Sequence, residues 1–105
     1  MKGVILNLDW LIFDGNTIKF EIPPTKSITY EELPIAVEEV FKHYSENKFD
    51  IIKITGRAPI WLYSAIVHAT AHLAKAIAVY DAINGKYIIV TSHNPKYKIG
   101  QTLEQ

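Results

Sequence analysis

Apolar positions along this 105-residue chain follow two rhythms, one of short crowded runs and one of helical spacing. Residues 4 to 13 and 17 to 22 are β-rich runs on either side of Asp14-Gly15-Asn16, which predicts a hairpin. Pro23-Pro24 closes it, because proline brings no N–H to a ladder and restrains the residue before it. Thr29 with Glu32 three residues on, and Pro34 just inside, predicts a helix start. Leu33, Val37, Val40, Phe41 and Tyr44 then recur at helical spacing to about Asn47, leaving Glu38, Glu39 and Lys42 for water. Asp50 to Thr55 reads as a short buried strand. Ile60 to Lys75, with Pro59 in its first turn, reads as a helix so apolar all round that it should be covered on more than one side. Ala76 to Ile83 and Lys86 to Ser92 are strands joined at Asn84-Gly85, and the polar chain from Asn94 onward is expected to be loose.

These elements describe one α/β domain, a small mixed sheet with two helices. It divides into an N-terminal hairpin (1–24), an α/β core (25–93) and a polar tail (94–105). The strand, helix, strand unit from Asp50 to Asp81 should be a right-handed crossover joining parallel strands. The C-terminal ends of both strands, with Gly56-Arg57 and Asp81, then share an upper edge, where α/β domains usually take ligands. Ser92 and His93 emerge at the lower edge, to which the second helix also carries His72 and Lys75; His68 lies about one turn higher.

Composition narrows the chemistry. Eleven basic residues balance eleven acidic ones, so a broad positive face for long nucleic acid is not expected, whereas a short anionic ligand in a local pocket is. The absence of cysteine excludes disulfides, thiolate metal sites and a cysteine nucleophile. No apolar run is long enough to span a membrane and no signal peptide is recognisable, so the expected location is cytoplasmic. Walker, dinucleotide-binding and nucleophile-elbow motifs are absent.

Gly56-Arg57-Ala58-Pro59 leads from a strand into a helix, bringing backbone N–H groups and a helix's positive end beside a guanidinium, which suits a phosphate. The bland alternative is a tight turn whose Arg57 pairs with a carboxylate. His68 and His72 are four apart, the spacing of two ligands on one helix face, but equally that of two core or interface histidines. Asp81 tops an apolar strand and needs a partner there, although a hairpin-end aspartate often bonds only its own turn. His43 is expected to be simply solvated. Trp61, Tyr63 and Tyr80 could stack on bases or belong to the core.

Taken together, GRAPIWLY, the histidine-bearing helix, AVYD, NGKYIIVTSH and Lys96 to Gly100 resemble the third Csx family of CRISPR-associated proteins, over about residues 54 to 100. The resemblance implies a Rossmann-like variant related to the sensor domains of type III CRISPR effectors, forming a homodimer. It implies activity as a manganese-dependent ribonuclease on short oligoadenylate RNA, or as a ring nuclease opening the cyclic tetra-adenylate second messenger. Carried over by position, the family's catalytic histidine falls on His72, with His68 the lesser match, its aspartate on Asp81 and its late histidine on His93. The chain has Ala58 where the family often has glycine, and Ala82-Ile83 where it often has proline and arginine after the aspartate.

The resulting expectation is a metal-dependent ribonuclease for cyclic tetra-adenylate or short oligoadenylate. His72 and Asp81 would act in catalysis, Asp81 and His93 would hold Mn2+ or another divalent ion, and Gly56, Arg57, Ala58, Ser92 and His68 would line the ligand. The alternative is a module that senses or sequesters the nucleotide without cutting it.

Overall fold

Asp14 pairs directly with Thr17, so the first two strands, β1 (Leu11–Asp14) and β2 (Thr17–Glu21), are joined by a two-residue loop at Gly15-Asn16. Gly15 has φ of +58°, a conformation that glycine adopts without steric cost. This computed structural model describes residues 8–104; the beginning of the first expected run, residues 4 to 7, lies outside them. After the two prolines, Thr29 opens a 3-10 turn (Tyr30–Glu32) that leads into α1 (Leu33–Glu46). The expected capping contact is made by the Glu32 carboxylate, which accepts the Thr29 N–H at 2.9 Å. Its other oxygen accepts the buried Trp10 indole N–H at 3.2 Å, pinning the chain ahead of β1 to the helix start.

Six strands form one sheet in sequence order, β1 to β6. β3 (Ile51–Arg57) lies parallel to β2 and to β4 (Ala76–Asp81); β1, β5 (Lys86–Ser92) and β6 (Thr102–Leu103) are antiparallel to their neighbours. The expected parallel unit is present, and α1 supplies a second one by linking β2 to β3. Both helices cover the same face: Ala36, Val40 and Tyr44 from α1 and Leu62 and Ile66 from α2 (Ile60–Thr70) share a core with Ile18, Phe20, Ile52, Ile54 and Ile77. Successive strand residues point to opposite faces. Ala76 and Ala78 therefore turn away from that core and join Tyr87, Ile89 and the flanking Ile51, Tyr80, Tyr97 and Leu103 in a second cluster.

Four expectations need correction. β3 runs two residues further than expected, because Gly56 pairs with Phe20 and Arg57 with Glu21; the Gly56-Arg57 turn is a strand end. α2 stops at Thr70 rather than Lys75, because the chain must reverse before Lys75 and Ala76 donate to the Asp50 carbonyl. Asp81 pairs with Lys86, so β4 ends short of Ile83 and a four-residue loop, closed by Gly85 N–H to the Asp81 carbonyl, replaces the two-residue turn. The tail from Asn94 is not loose: Leu103 pairs with Tyr87, Ile89 N–H donates to the Gln101 carbonyl and Tyr97 packs on the second cluster. Its backbone hydrogen bonds, together with the Tyr97 and Leu103 side chains, supply the attachment.

Candidate functional site

The parallel pairing of β3 and β4 sets the two edges of the sheet. Gly56, Arg57 and Asp81 stand at the upper edge, and Asp50, Ser92 and His93 at the lower. At the upper edge, Gly56 adopts φ of +116° and lies against the Phe20 backbone, where a Cβ would collide. Arg57 follows, exposed, with no ion pair among the described residues. Pro59 caps α2 without a side-chain hydrogen bond, so the helix start beside Arg57 is not closed by the protein's own side chains. The Tyr63 hydroxyl donates to the Gly56 carbonyl, tying α2 back to the strand end. Burial pushes the Tyr63 hydroxyl pKa up to about 12, so it remains a neutral donor.

Two clefts flank Arg57. One, of about 290 Å³, is bounded by Ile22, Lys26, Ser27, Ile28 and the Arg57-Ala58-Pro59 segment. The other, of about 430 Å³, is bounded by Thr55, Gly56, Arg57, Tyr63, Tyr80 and Ala82. Lys26 and Ser27 were not singled out in the sequence. They sit in an irregular segment after the two prolines, and only the fold of 23–29 over the end of β2 brings them to Arg57.

Asp81 is engaged within its own loop. Its carboxylate accepts the Asn84 side-chain amide at 2.6 Å and the Ile83 N–H at 3.0 Å. The Asn84 hydrogen bond, with help from the backbone N–H groups, holds the Asp81 pKa below its ordinary value, so the group is an anion and not a general acid at neutral pH.

At the lower edge, His72 lies in the turn beyond α2, so it does not share a helix face with His68, which is exposed in the last helical turn. His72 instead stacks on His93, with ring centroids 4.7 Å apart and planes 27° from parallel. His93 N–H donates to the Lys75 carbonyl, and the Lys75 ammonium lies 3.5 Å from Asp50, a carboxylate not anticipated in the sequence. The Ser92 hydroxyl lies within reach of the Asn94 and Tyr97 carbonyls, at 2.9 and 2.6 Å, where it organises the following turn. His43 is not simply solvated; it stacks on Phe13 at 4.2 Å.

Five residue steps of β4 separate Asp81 from Ala76, whose partner Ser92 precedes His93. At ~3.3 Å per residue that separation is about 17 Å. The residues of one chain therefore do not fit a metal held by Asp81 and His93 together. Among the described residues no group of three or more His, Asp or Glu is placed to hold a metal ion. No helix of the described residues is long and apolar enough to cross a membrane.

Comparison with known proteins places these features in context. The family described as "CRISPR-associated protein (Cas_csx3)" matches residues 25–104, a stretch that takes in α1 as well as the C-terminal half. A protein of Aquifex aeolicus (strain VF5), itself uncharacterized, is 34% identical over 92 residues, covering 87% of this chain and 78% of that one. No solved structure matches the chain.

Proposed function

We propose, from the premise that this chain belongs to the Cas_csx3 family of CRISPR-associated proteins, that it cleaves cyclic tetra-adenylate or short oligoadenylate RNA. Arg57 is the observation that carries the reading: an exposed guanidinium without a carboxylate partner among the described residues, fixed on a strand end beside the uncapped start of α2. Such a group suits a phosphodiester. The chemistry is assigned to the histidine pair. One imidazole takes the proton of a ribose 2′-hydroxyl, the oxygen attacks the adjacent phosphorus, and the bond to the 5′-oxygen breaks. The second imidazole protonates that leaving oxygen, giving a 2′,3′-cyclic phosphate and a 5′-hydroxyl. His72 and His93 are close enough to share one ribose-phosphate unit.

Arg57 and the histidines occupy opposite edges, so this reading requires chains to assemble. Ile60 and Trp61 on the outer side of α2 are exposed, which supports a homodimer through that helix. A manganese ion would be held between copies, by Asp81 of one facing the histidine edge of another, and would supply positive charge to the phosphate. The alternative of a binding module that does not cut is favoured by one observation: Asp81 is occupied by its own loop, in which Ala82-Ile83 stand where the family often has proline and arginine.

The test incubates the purified protein with labelled cyclic tetra-adenylate, with and without manganese. Linear product that disappears in His72→Ala supports the nuclease. Binding without product establishes the sensor reading in its place, and no binding at all overturns both.

A further inference from the structure

We infer that the two clefts flanking Arg57 form one two-part subsite for a nucleoside monophosphate unit, with Lys26 and Ser27 on the phosphate and Tyr80 and Tyr63 against the base. The inference takes its ligand class from the proposed function and assigns residues that the function does not use. Arg57 lines both clefts, so they meet at that residue. Their sizes, 290 and 430 Å³, lie near the lower end of the roughly 300–1,000 Å³ usual for small-molecule sites. The first is lined by an ammonium, a guanidinium and a hydroxyl beside a helix start, and by no carboxylate. The second is lined by two tyrosines, a threonine and small residues, also with no carboxylate. An anionic head joined to a flat, largely apolar body is complementary to that pair, and a nucleotide has that form.

The residues are supported from behind. Lys26 N–H donates to the Pro23 carbonyl at 3.0 Å, closing a turn that presents the side chain. Its only ion pair among the described residues, with Asp9 at 3.8 Å, is long and exposed and offers a phosphate little competition. Tyr63 stands edge-on to Phe20 and Tyr80 edge-on to Tyr87, each with centroids 5.2 Å apart, so both rings are held in place at the wall of the cleft. Ser27 is exposed beside Lys26, with its hydroxyl at the rim.

The experiment titrates the full chain with 5′-AMP, adenosine and inorganic phosphate by calorimetry, and follows backbone amide shifts by NMR. Phosphate is expected to move the amides of Lys26, Ser27, Arg57 and Ala58, and adenosine those of Tyr80 and Ala82, with AMP moving both sets. Lys26→Gln should weaken AMP about 3- to 10-fold and leave adenosine unchanged. Tyr80→Leu should weaken AMP and adenosine alike; Ala82→Glu, at an exposed loop position, repeats that test where Tyr80→Leu fails to fold. AMP binding that neither Lys26→Gln nor Ala82→Glu alters, shifts elsewhere on the surface, or no AMP binding overturns the subsite. Its failure is distinguishable from that of the nuclease reading. AMP seated in both clefts with no ring cleavage leaves the subsite standing without the enzyme, whereas cleavage indifferent to Lys26→Gln and Ala82→Glu leaves the enzyme without the subsite.

Discussion

At Arg57 and Asp81, two charged residues of one sheet edge meet opposite fates. Asp81 spends its carboxylate on Ile83 and Asn84, whereas Arg57 has no carboxylate within salt-bridge distance among the described residues. A hydrogen bond to a charged group contributes about 1.5–3 kcal/mol. Arg57→Ala is therefore expected to weaken oligoadenylate binding by about tenfold or more while leaving the thermal midpoint unchanged. Equal affinity in a titration at fixed salt would remove the guanidinium from the site. Both fates were partly legible. The sequence offered the turn role of Asp81 as its bland alternative, on the general tendency of a hairpin-end aspartate to bond nearby backbone. It placed Arg57 before a helix but offered no means of seeing Lys26, because the approach of residues 23–29 to the end of β2 is a tertiary fact with no local signature.

Element boundaries show where local patterning stops being informative. The end of β3 is set by its partner: Gly56 and Arg57 continue the ladder because Phe20 and Glu21 lie alongside, and a parallel β2 has no signature in the local pattern of residues 50–57. That pairing makes Gly56 intolerant of a side chain, since its φ of +116° is unfavourable for any other residue and a Cβ would meet the Phe20 backbone. Gly56→Ala should cost about 2–4 kcal/mol of stability in a denaturant titration, and a loss below about 0.5 kcal/mol, typical of a neutral surface change, would contradict the close approach. The helices are tied to strand ends by two tyrosines. Tyr44 of α1 donates to the Gly15 carbonyl at 2.8 Å and Tyr63 of α2 to the Gly56 carbonyl. Burial raises both hydroxyls from 10.0 to about 12, with smaller contributions from Asp14 on Tyr44 and from Tyr87 on Tyr63. A raised folded pKa means the native state holds its protons longer than the unfolded chain, so the associated stability is complete below pH 10 and is lost as pH rises toward about 12. Unfolding free energy measured across that window should fall, and less steeply in Tyr63→Phe; a flat profile would show that folding does not raise the pKa of these hydroxyls.

For the whole molecule, the order of the sheet decides what a single chain can do. Parallel β3 and β4 send Gly56, Arg57 and Asp81 to one edge, and the antiparallel return of β5 sends Ser92 and His93 to the other, beside His72. This separation was legible from strand order alone, since a crossover followed by a hairpin fixes the edges whatever the exact boundaries, and it survives the shortening of α2. A general base must come within about 3 Å of its proton, and the edges stand about 17 Å apart along β4. If His72 and Asp81 serve one phosphate, the lower edge of one copy must face the upper edge of another across the ligand, a heterologous contact that stacks head to tail unless it closes into a ring. Activity should then rise faster than linearly with protein concentration, and ligand should promote higher assemblies in sedimentation. Mixing two inactive variants, His72→Ala and Asp81→Ala, should restore cleavage, because the intact histidine edge of the Asp81→Ala chain can meet the intact upper edge of the His72→Ala chain. Asp81 also organises its loop, so each variant is first checked for a native melting profile and for assembly with ligand. A mixture of two folded variants that stays inactive, beside wild type that works at concentrations too low for stacking, would show that each edge acts alone and that the His72–His93 pair cleaves without Asp81.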